Sequence, residues 1–141
     1  MPLGAFISSG EIMDSLKTNP PLGHITTFGG HPVSCAAGMA TLKILLEENL
    51  ITQAVSKEKL FKKLLVHPAI ISVRGKGLLI AIELKSIEFT KKAVKECIKN
   101  GVATDWFLFA ENCLRISPPL IISEDDIRKA CELILLSIDE V

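Results

Sequence analysis

Apolar residues recur at helical spacing through Val33, Ala36, Ala37, Ala40, Thr41, Ile44 and Leu45, which predicts an amphipathic helix there. A second helix is predicted over residues 51–65, with Lys57, Lys59, Lys62 and Lys63 on solvated positions. Pro68 then breaks the pattern. Ile70 to Val73 and Leu78 to Leu84 read as strands joined through Arg74-Gly75-Lys76-Gly77. In the second strand Leu79, Ala81 and Glu83 alternate with Ile80, Ile82 and Leu84. Glu88 to Asn100 reads as a helix, with Gly101 as a left-handed cap. Val102 to Phe109 and Cys113 to Ser117 are strand candidates. Ser123 with Asp126 forms a capping box, and Glu124, Asp125 and Asp126 suit the positive end of a helix dipole. Ile127, Ala130, Cys131, Ile134 and Ile138 supply the buried stripe of that last helix. At the start of the chain, Ala5 to Ser8 reads as a short strand and Gly10 to Leu16 as a short helix. Asn19-Pro20-Pro21 stops that helix, and His24 to Gly30 follows as an extended loop.

One strand in the N-terminal third cannot form a sheet alone. The remainder reads β-β-α-β-β-α with short connections. The predicted class is α+β, with helices packed on a small antiparallel or mixed sheet.

Composition narrows the function classes. The 141 residues, 48% hydrophobic, are enough for one domain with a core. Sixteen basic and sixteen acidic residues give a formal net charge of zero. Nucleic acid and acidic membranes are therefore not expected partners, and zero charge gives little protection against association. The longest apolar runs are too short to span a bilayer, and no signal peptide is expected. Cys35, Cys97, Cys113 and Cys131 form no C-x-x-C pair, so no metal site is expected. Buried free thiols in a reducing cytosol are the simplest account.

The densest candidate chemistry is Thr26-Thr27-Phe28-Gly29-Gly30-His31-Pro32. Glycines allow a sharp turn and close approach of the backbone to a ligand. Pro32 suits the first helical position, where its missing N–H is no loss. Two hydroxyls beside the unpaired N–H groups of a helix start suit a phosphate or another anion. On local physics alone, a plain Gly-Gly loop capping a core helix is the better account.

In wider context, Gly23 to Gly38 (GHITTFGGHPVSCAAG) resembles the matching region of class III pyridoxal-phosphate aminotransferases. Three further blocks match that family in the same order. Met1-Pro2-Leu3-Gly4-Ala5-Phe6 is similar to the strand after the family's cofactor lysine. Val73-Arg74-Gly75-Lys76-Gly77-Leu78-Leu79, with Glu83-Leu84, is similar to the first hairpin of its C-terminal small domain. Leu114-Arg115-Ile116-Ser117-Pro118-Pro119-Leu120, then Ser123 to Ile127, is similar to its last strand and helix. His31 departs from the family, many members of which carry asparagine there.

The resemblance implies a fold-type I small domain over residues 49–141, preceded at 1–48 by a piece of the large domain. It implies pyridoxal 5'-phosphate as cofactor, an amine or amino acid as amino donor, a 2-oxo acid as acceptor, and a homo-oligomer; the free thiols set the expected localisation as cytoplasmic. Thr26 and Thr27 match hydroxyls that bind the cofactor phosphate of the neighbouring subunit. Arg115 matches the arginine facing the substrate carboxylate or a switching glutamate. The plain alternative for Arg115 is an edge-strand residue pointing into water. The Schiff-base lysine would precede Met1, so this chain is expected to be inactive alone. A different class of function, a non-catalytic interaction module derived from the small domain, stands beside it.

Other residues read more blandly. Arg74 and Lys76 sit in a glycine turn taken as structural. His24 and His31 read as loop-packing residues, and His67, before Pro68, as surface. Trp106, Phe107 and Phe109 read mostly as sheet core.

Overall fold

A computed structural model describes residues 1–141 except Leu22 and His24. The reading of His24 therefore lies outside the described residues. The chain divides into two compact units, Met1–Glu48 and Asn49–Val141.

In the second unit, helices α3 (Leu50–Leu64), α4 (Ile87–Lys99) and α5 (Glu124–Asp139) accompany strands β1 (Ile70–Lys76), β2 (Leu79–Leu84), β3 (Asp105–Phe107) and β4 (Ala110–Ile116). The strands form one antiparallel sheet in the order β1-β2-β4-β3. This is the expected α+β layer. Alternation along β2 decides which face is covered. Ile80, Ile82 and Leu84 are fully buried with Leu114 of β4, and Ile116 of β4 is nearly so. They pack against Phe61, Leu65, Phe89, Ala93, Cys97, Ile127 and Ile134 in one core. All three helices lie on that face. No helix of this unit covers the other.

Local chemistry explains the helix ends. The Ser123 hydroxyl accepts from the Asp126 N–H at 3.1 Å and donates to the Asp126 carboxylate at 2.6 Å. Ser86 caps α4 by accepting from the Phe89 N–H. At the far end of α4, Val102 N–H reaches the Cys97 carbonyl and Gly101 N–H the Ile98 carbonyl. This is the Schellman arrangement, and Gly101 takes the positive φ of 88° that it needs.

The hairpin corrects one expectation. Lys76 pairs with Leu79, so the turn is only Gly77-Leu78, and Arg74 to Lys76 belong to β1. Gly77, at φ 61°, supplies the backbone that a two-residue turn requires. Its N–H donates to Glu58 of α3, whose other carboxylate oxygen accepts from Lys62. These two contacts, Lys62 first, hold the Glu58 carboxyl below its ordinary pKa.

Four other expectations fail. Lys57 is not solvated: it is 9% exposed, and its ammonium donates to the Leu120 carbonyl. His67 is not free surface: its ring accepts from the Ala69 N–H and contacts Asp139. Phe109 is not sheet core: it is 98% exposed in the Leu108-Phe109 turn between β3 and β4. Cys35 is exposed, whereas Cys97, Cys113 and Cys131 are buried free thiols.

The first unit contains helices α1 (Gly10–Asp14) and α2 (Pro32–Glu47). Ala5 to Ser8 is not a strand. A strand is defined by hydrogen bonds to a neighbour, and none of the described residues in this unit supplies one. Residues 25–30 form turns rather than an extended loop over most of their length. None of the described residues of α2 is buried, and Val33 and Ile44 of its apolar stripe stay exposed. Among the described residues, no helix is long and apolar enough to cross a membrane.

Candidate functional site

Two places concentrate chemistry, one in each unit. In the first unit, a cavity of about 690 Å³ is lined by Met1 to Gly4, Thr26 to His31 and Ser34. It lies at the start of α2. Pro32 occupies the first turn of that helix, and its N-cap, His31, makes no side-chain capping bond. Thr26 accepts the Gly29 N–H through its carbonyl, which closes a turn under its own hydroxyl. A Cβ at Gly29 would strike that hydroxyl, so the close approach needs glycine. Gly30 needs the same residue for a different reason, its φ of 72°. The structure thus brings Thr26, Thr27, both glycines and a helix N-terminus to one cavity. His31 joins them on its wall rather than packing elsewhere.

Pyridoxal 5'-phosphate carries a phosphate dianion, and this donor set fits it. Hydroxyls, glycine backbone and a helix start without a side-chain cap are what such an anion requires. A Cβ at Gly29 would crowd the Thr26 hydroxyl, one of these donors.

In the second unit, Arg115 lies on the uncovered face of the sheet. Strand register places Arg74 opposite Ala81, Ala81 opposite Arg115, and Arg115 opposite Asp105. One row therefore crosses all four strands, with the small Ala81 between two arginines. Above it is a cavity of about 420 Å³ lined by Arg74, Ala81, Arg115 and Phe107 to Ala110. β4 is an interior strand, so Arg115 is not an edge residue.

The two arginines differ in what occupies them. Arg74 donates to the Glu83 carboxylate and, at 3.3 Å, to the Cys113 sulfur. The Glu83 hydrogen bond, followed by the Cys113 charge, raises the Arg74 pKa above its ordinary value. Glu83 in turn is lowered, first by the Ser72 hydroxyl at 2.7 Å and then by Arg74. Among the described residues, Arg115 has only a loose ion pair, 3.8 Å to Asp105. Its planar fork therefore has capacity for a carboxylate. Sequence reasoning missed Asp105, Ala81 and the place of Arg74 in this row. Continuing the strand through Arg74-Gly75-Lys76 would have shown Arg74. Nothing in the sequence marks the register that brings Asp105 to Arg115.

Residues 1–138 match the aminotransferase class-III family. The ornithine aminotransferase of Toxoplasma gondii, whose structure shows partial occupancy of PLP at its active site, is 31% identical. It aligns over 94% of this chain and 32% of its own, with a TM-score of 0.79. The acetylornithine aminotransferase of Elizabethkingia anophelis is 30% identical over 96% of this chain and 34% of its own, with a TM-score of 0.77. A Bacillus anthracis aminotransferase is 27% identical over 94% and 34%, with a TM-score of 0.80. The chain thus spans about a third of the length of these solved structures. With the match running through both the Thr26–Pro32 turn and the Arg115 strand, the chain belongs to the class-III aminotransferase family.

Proposed function

We propose that this chain carries the phosphate loop and the carboxylate arginine of a pyridoxal-phosphate-dependent transaminase. The observation that carries this reading is the convergence of Thr26, Thr27 and the Gly29-Gly30 turn on one cavity at the start of α2. When bound, the cofactor supplies the electron sink for moving an amino group from an amine or amino acid to a 2-oxo acid. Thr27 and Thr26 would hold its phosphate through their hydroxyls, beside the Gly29-Gly30 turn and the start of α2. Arg115 grips the substrate carboxylate with two parallel N–H bonds and so orients the reacting carbon. Residues 1–48 are assigned to the large domain and 49–141 to the small domain.

Homo-oligomerisation is part of the proposal. Val33, Met39, Leu42, Ile44 and Leu46 of α2 are exposed, and a second copy is the occupant proposed for that face. Free cysteines suit a reducing compartment, and we assign the cytoplasm.

A crossed experiment in the complete enzyme tests the site assignment. Arg115→Lys keeps the charge but loses the fork, and should lower kcat/KM for carboxylate substrates about ten-fold or more. Its affinity for pyridoxal phosphate should stay near wild type. Thr27→Ala should do the reverse and loosen the cofactor first. Unchanged kcat/KM in Arg115→Lys rejects the substrate role, and unchanged cofactor affinity in Thr27→Ala rejects the phosphate role.

A further inference from the structure

We propose that the β3–β4 hairpin selects the ligand of Arg115: Phe107 and the Leu108-Phe109 tip receive the apolar group of a monocarboxylate, and Lys91 fixes the hairpin from the opposite face of the sheet. The inference rests on the carboxylate-binding reading of Arg115 given above and adds to it the class of substrate side chain.

Alternation along β3 splits the hairpin between two faces. Trp106 packs against the core on the helix side, whereas Phe107 lines the 420 Å³ cavity over Ala81. Trp106 pairs with Leu114, but Phe107 pairs with Ala110, where a regular ladder would place Cys113. Such a break re-aims the residues beyond it. Phe107 to Ala110 form the apolar side of the cavity, and Arg74 and Arg115 its charged side. Leu108 and Phe109 are 76% and 98% exposed, so an apolar group laid against them removes that surface from water.

Charge limits the ligand to one carboxylate. Glu83 and Cys113 already hold Arg74. Among the described residues lining this cavity, only Arg115, with its loose pair, has a fork to offer. A second carboxylate would lie against Phe107 to Ala110 without a cation, which is unfavourable.

Lys91 of α4 holds the hairpin by two contacts. Its ammonium donates to Glu111 at 2.6 Å and lies 5.3 Å from the centre of the Trp106 ring. Trp106 immediately precedes Phe107, and Glu111 immediately follows Ala110. One cation thus pins both arms of the hairpin just outside the four residues of the wall. Lys91 does not line the cavity, so it is a positioning residue.

The test uses the 141-residue chain with benzoate and acetate, which share a carboxylate and differ in the apolar ring. Binding is followed by calorimetry and by the Arg115 guanidinium NMR signals. Wild type should bind benzoate roughly three- to ten-fold more tightly than acetate, the range one aromatic contact allows. Phe107→Ala should lower benzoate affinity to that of acetate and leave acetate unchanged. Lys91→Met should lower the benzoate preference about two-fold, and Lys91→Arg, which keeps the cation, should restore it. A Phe107→Ala variant that keeps the wild-type preference, or loses acetate along with benzoate, overturns the wall. A Lys91→Met variant that is less stable but keeps the preference overturns the positioning role. If Arg115→Lys binds both probes as well as wild type, the carboxylate reading of Arg115 itself fails; if it loses both, that reading stands whatever Phe107→Ala does. Wild type that binds neither probe, or both equally, also overturns the hairpin's role. The Arg115 reading is then decided by the kcat/KM test in the complete enzyme.

Discussion

The Lys57 ammonium donates a 2.6 Å hydrogen bond to the backbone carbonyl of Leu120, tying α3 to the segment before α5 across 63 residues of sequence. Leu120 packs against the core at this point. A buried carbonyl that loses its donor is destabilising by about 1–3 kcal/mol, and this part-buried one sets the low end of that range. Lys57→Met, which keeps the length of the side chain, should therefore lower the urea midpoint by an amount in that range. Lys59→Met, at an exposed position on the same helix, should stay within about 0.5 kcal/mol of wild type. Equal effects from the two variants would show that the Leu120 contact contributes nothing.

Acid should weaken the second unit through Glu58 and Glu83. Both carboxyls sit below their ordinary pKa in the folded chain, Glu58 through Lys62 and Gly77, and Glu83 through Ser72 and Arg74. A depressed pKa means that the unfolded chain binds the proton more readily. The stability contributed is therefore present above the ordinary glutamate range and is lost as pH falls through the folded values. Urea midpoints measured as pH is lowered through that range should fall, and Glu58→Gln with Glu83→Gln should flatten the curve. An unchanged slope in the double variant would reject the assignment.

Thiol reactivity should separate the cysteines. Cys35 is exposed, while burial pushes the Cys131 thiol up to about 12 and raises that of Cys97. The thiolate is the reactive form. In native conditions at neutral pH a maleimide should modify Cys35 first, with Cys97 and Cys131 reacting only after unfolding. Peptide mapping that finds Cys131 labelled as fast as Cys35 would contradict the burial described here.

Ala81→Leu tests the space between the two arginines. Ala81 is nearly buried on the uncovered face, and its small side chain leaves the cavity open. Leucine should fill that space and abolish benzoate binding while the core on the opposite face stays intact. Retained benzoate affinity, with an unchanged amide NMR spectrum elsewhere, would place the carboxylate somewhere other than this cavity.

Mixed with pyridoxal phosphate and reduced with borohydride, the 141-residue chain should show only scattered, substoichiometric labelling of its lysines. One lysine labelled stoichiometrically would instead show that these 141 residues carry a specific cofactor-binding lysine.

What the sequence determined by itself is local. Ser123 and Asp126 close their capping box within four residues, and Gly101 ends α4 through bonds to Cys97 and Ile98. The Ile80-Ile82-Leu84 alternation chose the buried face of β2 because a strand places every second side chain on one side. Glycine freedom at Gly29-Gly30 and the start of α2 at Pro32 were legible locally, while the extended loop expected through residues 25–30 gave way to turns. Tertiary structure decided the rest. Lys57 reads as one more solvated lysine until Leu120, far along the chain, comes to meet it. Arg74, Ala81, Arg115 and Asp105 share a row only because three strand pairings fix their register, and pairing depends on partners that no local pattern names. Ala5 to Ser8 shows the converse: strand-forming residues make no strand where none of the described residues pairs with them.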